Sequence, residues 1–163
     1  SKISEKSFNV NNKSKRDFLL QIIDNTLIVD SIILCCKKFE LQEELILAII
    51  YYESRFDEKA SNINKNGSVD AGLMQLNSNT FRHLSIDELY DIEINIFNGT
   101  KLLNELHNKY NKNLIKVICA YNCGEYRVNN CIIPDKTLIY CDKILKKKYY
   151  YEVEFEKFKN NLK

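Results

Sequence analysis

The sequence predicts a mainly α-helical single domain, and three observations carry that expectation. Four Gly and one Pro in 163 residues fall well below the ~7% and ~5% of average chains. A β-sandwich or barrel, with a turn every ~8–12 residues, would need more of both. Hydrophobic residues at 45% and charged residues at 28% match ordinary globular chains and exclude wholesale disorder. Apolar positions then recur with helical spacing along most of the sequence.

Residues 1–14 are polar and rich in Asn, Lys and Ser, and read as a frayed N-terminal arm ahead of one domain over 15–163. From Asp17, the residues Phe18, Leu19, Ile22, Ile23 and Leu27 follow a helical period. Asp30 and Ser31 read as the start signal of a second helix ending near Phe39. A third runs from Gln42 to Ser54, with Glu43 and Glu44 in the first turn, where the helix dipole favours anions. Residues 57–72 turn polar, and Asn66-Gly67 is the dipeptide that type I′ turns prefer. A small loop or β-hairpin near 60–72 is therefore the only β structure expected. Helical periodicity returns at Ser78–Leu84, Ile92–Tyr110 and Leu114–Tyr121, and again from Thr137 onward. The tail from Lys146 to Lys163 reads as an amphipathic helix packed on the domain rather than as a partner-docking element.

Several function classes drop out. With 24 Lys+Arg against 22 Asp+Glu, the net charge of +2 does not fit a nucleic-acid binder. The longest apolar run, Leu45–Tyr52, is far short of the ~18–20 residues that span a bilayer. No leader is visible at Ser1, although a trimmed chain would have lost one. The six Cys do not follow zinc-site spacings, and His83 and His107 stand alone, so neither a metal nor a cofactor is expected. Cys131 with Cys141 is the first candidate disulfide, whereas Cys119 and Cys123 also fit small buried thiols.

Glu53 is the most informative residue. Ile46, Ile49 and Ile50 lie seven, four and three positions before it, on the same helical face. Desolvation there disfavours the charged carboxylate and raises its pKa, as a general acid near neutral pH requires. The same placement also fits a core-edge Glu neutralised by Arg55 or turned outward. The segment from Gly67 to Asn77 sets two glycines around Asp70, then offers Gln75 and Asn77 as hydrogen-bonding amides. Ala120-Tyr121-Asn122-Cys123-Gly124 ends a helix with Gly at the position a C-cap prefers.

In this order the clusters resemble the lytic transglycosylases of glycoside hydrolase family 23, the soluble-lytic-transglycosylase domain with a lysozyme-like fold. The resemblance covers roughly residues 30–150. Ala48-Ile49-Ile50-Tyr51-Tyr52-Glu53-Ser54-Arg55-Phe56 looks like the motif with the catalytic Glu and its following Ser. Gly72-Leu73-Met74-Gln75-Leu76-Asn77 resembles the cleft motif, and Asn95-Ile96-Phe97-Asn98-Gly99 the N-I-x-x-G element. Residues 120–124 match A-Y-N-A-G with Cys123 in place of Ala. Pro134, Thr137 and Tyr140 resemble the closing P-x-x-T-x-x-Y element, whose Tyr faces the catalytic Glu. The long loop Asn62–Asp70 is similar to that of the small specialised members that serve secretion systems, pili or flagella.

The resemblance implies cleavage of the β-1,4 bond between N-acetylmuramic acid and N-acetylglucosamine in peptidoglycan, leaving 1,6-anhydro ends. Glu53 would act as acid and then base, with Tyr140 holding it. Ser54, Met74, Gln75, Asn77, Tyr121 and Asn122 are expected to line the substrate cleft, with Met74 equally at home as core filler and Ser54 as a backbone brace. Asp70 opens a rival reading. Its surroundings also resemble c-type lysozymes, in which a second carboxylate supports hydrolysis; a loop hydrogen bond is the plainer role. A wall-binding assembly protein without turnover is a third reading, raised by Cys123. The implied partners are glycan strands and an envelope-spanning machine, and the implied location is the periplasm or cell envelope.

Overall fold

The computed structural model describes residues 14–162, so all of the expected arm except Ser14 lies outside the described residues. Ser14 already belongs to helix α1, residues 14–22. Helix α2 (Thr26–Phe39) begins earlier than Asp30, because the Asn25 side chain accepts hydrogen bonds from the backbone N–H of Leu27 and Ile28. Leu27 thus opens α2 instead of closing α1. Helix α3 (Glu43–Ser54) lies in the middle of the core. Leu45 to Ile50 are all buried, so the helix is apolar on every side, as a central helix must be.

After α3 comes a three-stranded antiparallel sheet in the order β1 (Ser61–Ile63), β2 (Val69–Ala71), β3 (Leu76–Asn77). The expected hairpin is there, with two differences. A third strand extends it, and the turn is not type I′, since Gly67 takes a positive φ of 80° but Asn66 does not. Asn66 instead accepts from the Ser68 N–H and hydroxyl, an Asx-type turn.

Ser78–Leu84 folds as turns and not as the expected helix. Asn77 Oδ1 accepts from the Asn79 N–H, and the Asn77 carbonyl accepts from Thr80 and Phe81, so the backbone is tied into local turns while Phe81 fills the core. The helix starts later, as α4 (Ile86–Tyr90), where Ser85 and Glu88 form a reciprocal capping box. Helix α5 (Ile92–Lys109) packs on α2, α6 (Leu114–Cys123) on α5 and α8, and the short α7 (Glu125–Asn129) follows Gly124.

The long α8 (Asp135–Asn161) starts after Pro134 and packs along α3. Its tail carries Tyr151 and Phe155 into the core, and Phe155 stacks at 5.3 Å on Phe18 of α1. All six cysteines are free thiols. Cys131 is exposed while Cys141 is buried between α8 and α6, so that candidate pair is not joined. Among the described residues no helix is long and apolar enough to cross a membrane, and no group of three or more His, Cys, Asp or Glu could hold a metal ion.

Candidate active site

Glu53 occupies the last turn of α3, where the all-round apolar helix runs out. The chain turns away at once, because Arg55 and Phe56 both adopt left-handed backbone angles (φ 55° and 65°). Arg55 does not neutralise Glu53; its guanidinium lies 3.8 Å over the Tyr51 ring. Ser54 is buried and donates to the Ile50 carbonyl at 3.2 Å, bracing the helix end.

The Glu53 carboxyl is half-buried and meets Tyr140 of α8, whose hydroxyl donates to Oε1 at 2.5 Å. Burial is the largest influence on its pKa and raises it. The Tyr140 hydrogen bond pulls it down, and the negative charge of Asp70 raises it again. The balance leaves Glu53 pushed up from 4.5 to about 7. Burial and the adjacent Glu53 charge push the Tyr140 hydroxyl well above the usual tyrosine range, so it remains a proton donor.

Asp70 sits on β2 with Asn62 and Asn77 as its cross-strand partners. Its carboxylate accepts from Asn77 Nδ2 at 2.6 Å, Asn64 Nδ2 at 2.9 Å and Asn62 Nδ2 at 3.4 Å. Asn62 and Asn64 were not singled out in the sequence. The hairpin register that would have revealed them depends on the turn geometry.

A groove of about 590 Å³ opens between the sheet and the α6–α8 end of the molecule. Tyr52 of α3, Asn64 and Asp70 beside and on the sheet, and Asn122, Cys123 and Tyr140 of α6 and α8 are among the residues that line it. Glu53 itself is not among the lining residues; it lies directly behind Tyr140, which lines the groove and donates to it. Asn122 Oδ1 accepts from the buried Thr137 hydroxyl at 2.8 Å, which ties α6 to the start of α8.

The other expected cleft residues serve the frame. Met74 is fully buried, and its sulfur packs so closely on Gly99 that a Cβ there would lie 2.4 Å away; it belongs to the core and not to the groove. Gln75 donates both amide protons to the carbonyls of Ala60 and Gly72, and Asn77 is committed to Asp70, Ser68 and the Asn79 N–H. Tyr121 donates to the Met74 carbonyl at 2.7 Å. Asn95, fully buried, pins the same turn. It donates to the carbonyls of Ala71 and Leu89 and accepts from the Met74 N–H. Gly72 is required beside it, since its φ is 75° and a Cβ would lie 2.5 Å from Asn95 Nδ2.

Three comparisons bear on this arrangement. The family model described as the Transglycosylase SLT domain matches residues 30–139. Protein IpgF of Shigella flexneri is 33% identical over 94 residues, covering 54% of this chain and 61% of that protein. Invasion protein IagB of Salmonella typhimurium is 33% identical over 94 residues, covering 54% of this chain and 58% of that one. Among solved structures, the 70 kDa soluble lytic transglycosylase of Escherichia coli superposes with a TM-score of 0.68 at 25% identity, over 76% of this chain and 24% of that one. An inactive mutant of lytic transglycosylase Slt from Pseudomonas aeruginosa gives 0.65 at 24% identity, over 78% and 24%. The chain thus spans less than two thirds of each of these relatives. The fold is the expected lysozyme-like one.

Proposed function

The chain belongs to the transglycosylase SLT domain family, and from that premise we propose that it is a peptidoglycan lytic transglycosylase with Glu53 as its acid and base. The observation that carries this reading is the half-buried Glu53 carboxyl, held by Tyr140 beside an open groove and pushed up to about 7. A general acid works best with a pKa near the working pH.

Glu53 gives its proton to the glycosidic oxygen as the bond from the muramic anomeric carbon breaks, and the N-acetylglucosamine side leaves as an alcohol. Positive charge grows on the anomeric carbon, where the substrate's own acetamido group stabilises it. The Glu53 carboxylate then takes the proton of the muramic 6-hydroxyl as that oxygen attacks the same carbon. This closes the 1,6-anhydro ring and restores protonated Glu53, so no water is consumed. Tyr140 holds the carboxyl in place throughout. Tyr121, Gln75, Asn77 and Met74 act indirectly by fixing the turn that follows the strand of Asp70, while Asn122 faces the substrate. The substrate lies outside the cytoplasmic membrane, which supports a cell-envelope location. Relatives such as the invasion protein IagB support service to an envelope-spanning machine.

Asp70 supports a second reading, hydrolysis by two carboxylates, because its charge bears on Glu53. Variants tested on purified sacculi separate the two. Glu53→Gln is expected to lower turnover by about 10³-fold or more, the scale of a lost general acid. Asp70→Asn is expected to keep most turnover, with its high-pH limb moved to lower pH, because a charge that raises Glu53 is gone. Loss of turnover in both folded variants would favour the hydrolase.

A further inference from the structure

Along α8, Lys136, Ile139, Tyr140 and Lys143 fall at i, i+3, i+4 and i+7, one face of the helix, and all four line the groove. Arg127 of α7 lines it too. Among the described residues, none of these three cationic side chains has a hydrogen-bond, ion-pair or ring partner. Their neighbours do: Lys109 pairs with Glu125, Lys146 with Asp142, and Lys147 lies 3.9 Å over the Tyr51 ring.

Asp70 is the one acid among the groove-lining residues, and carboxamide N–H groups already occupy its oxygens. Nor do the cations act on Glu53, whose charged influence is Asp70. The groove therefore presents three unengaged positive charges, an arrangement that attracts an anion. The acetylated sugar rings of a glycan strand are neutral. Its carboxylates project from the muramic lactyl arm, either directly or on an attached peptide.

We propose that Arg127, Lys136 and Lys143 form a carboxylate-binding rim that selects strands by the acids carried on their lactyl arms. This rests on reading the groove as a glycan cleft. Guanidinium and ammonium groups bind carboxylates through charge-assisted hydrogen bonds, so the rim contributes to affinity and register while Glu53 does the chemistry.

The test measures binding of the full chain carrying Glu53→Gln to three preparations of soluble strands. One bears peptides, one is peptide-free with bare lactyl carboxylates, and one bears peptides whose carboxyls have been amidated. Amidation is expected to weaken binding about tenfold at low salt, a gap that closes toward about 0.5 M salt. Adding Lys136→Gln and Lys143→Gln should abolish the gap, and adding Arg127→Gln alone should narrow it. Tighter binding to peptide-bearing strands assigns the stem carboxylates; tighter binding to peptide-free strands assigns the lactyl ones. Equal binding to all three preparations overturns the rim, as does a gap that survives the lysine substitutions at an unchanged melting temperature. Failure to bind any preparation overturns the glycan-cleft reading along with it.

Discussion

Glu53 is held in a state that costs the fold stability. Its carboxyl is raised from 4.5 to about 7, so between those values the folded chain binds more protons than the unfolded one. Stability then falls as pH rises through that window, by up to about 3 kcal/mol. Glu53→Gln keeps an acceptor for Tyr140 and carries no charge to desolvate. The variant is expected to melt higher than the parent at pH 8, with the difference gone near pH 4; urea or thermal melts at both pH values check this. Equal stabilities at pH 8 would mean the carboxyl is not desolvated. Catalytic groups are often held at such a cost. The position of Glu53 on an isoleucine face was legible in the sequence. Its pairing with Tyr140, 87 positions away, came only from the family resemblance, since helical spacing says nothing about which helices meet.

At the scale of elements, the turn Gly72–Asn77 and the sheet beside it form the wall opposite α8. That wall is held by Asn95, whose carboxamide satisfies three backbone groups at once. Asn95→Ala would leave those groups buried and unpaired, at about 1–3 kcal/mol each. A loss of about 3 kcal/mol in chemical denaturation is expected. An unchanged midpoint would show that the turn does not depend on Asn95. Here the sequence was legible for composition but not for role. Gln75, Asn77 and Tyr121 look like ligand-facing groups because they can hydrogen-bond, yet their donors are spent on backbone carbonyls or on Asp70. The helix expected over Ser78–Leu84 failed for a related reason, as Asn77 bonds the local backbone into turns. Lys136 and Lys143 could have been found from their spacing with Tyr140.

Across the molecule, α8 joins the Glu53 site to helix α1. Tyr140 near its start meets Glu53, and Phe155 near its end packs against Phe18 and beneath the Lys15 ammonium, 3.8 Å from the ring. Phe155→Ala should cost about 3 kcal/mol in thermal or chemical melts, while chain folded at low temperature keeps its turnover; an unaltered melt would remove α1 from the core. The mostly helical architecture was legible from scarce Gly and Pro and from apolar spacing. The groove was not, because it forms where elements distant in sequence converge. The central claim, a single acid-base carboxyl closing an anhydro ring without water, is tested most directly by mass analysis of the fragments released from purified sacculi. Muropeptides ending in 1,6-anhydromuramic acid are the predicted result, and fragments with reducing ends, heavier by one water, would contradict it.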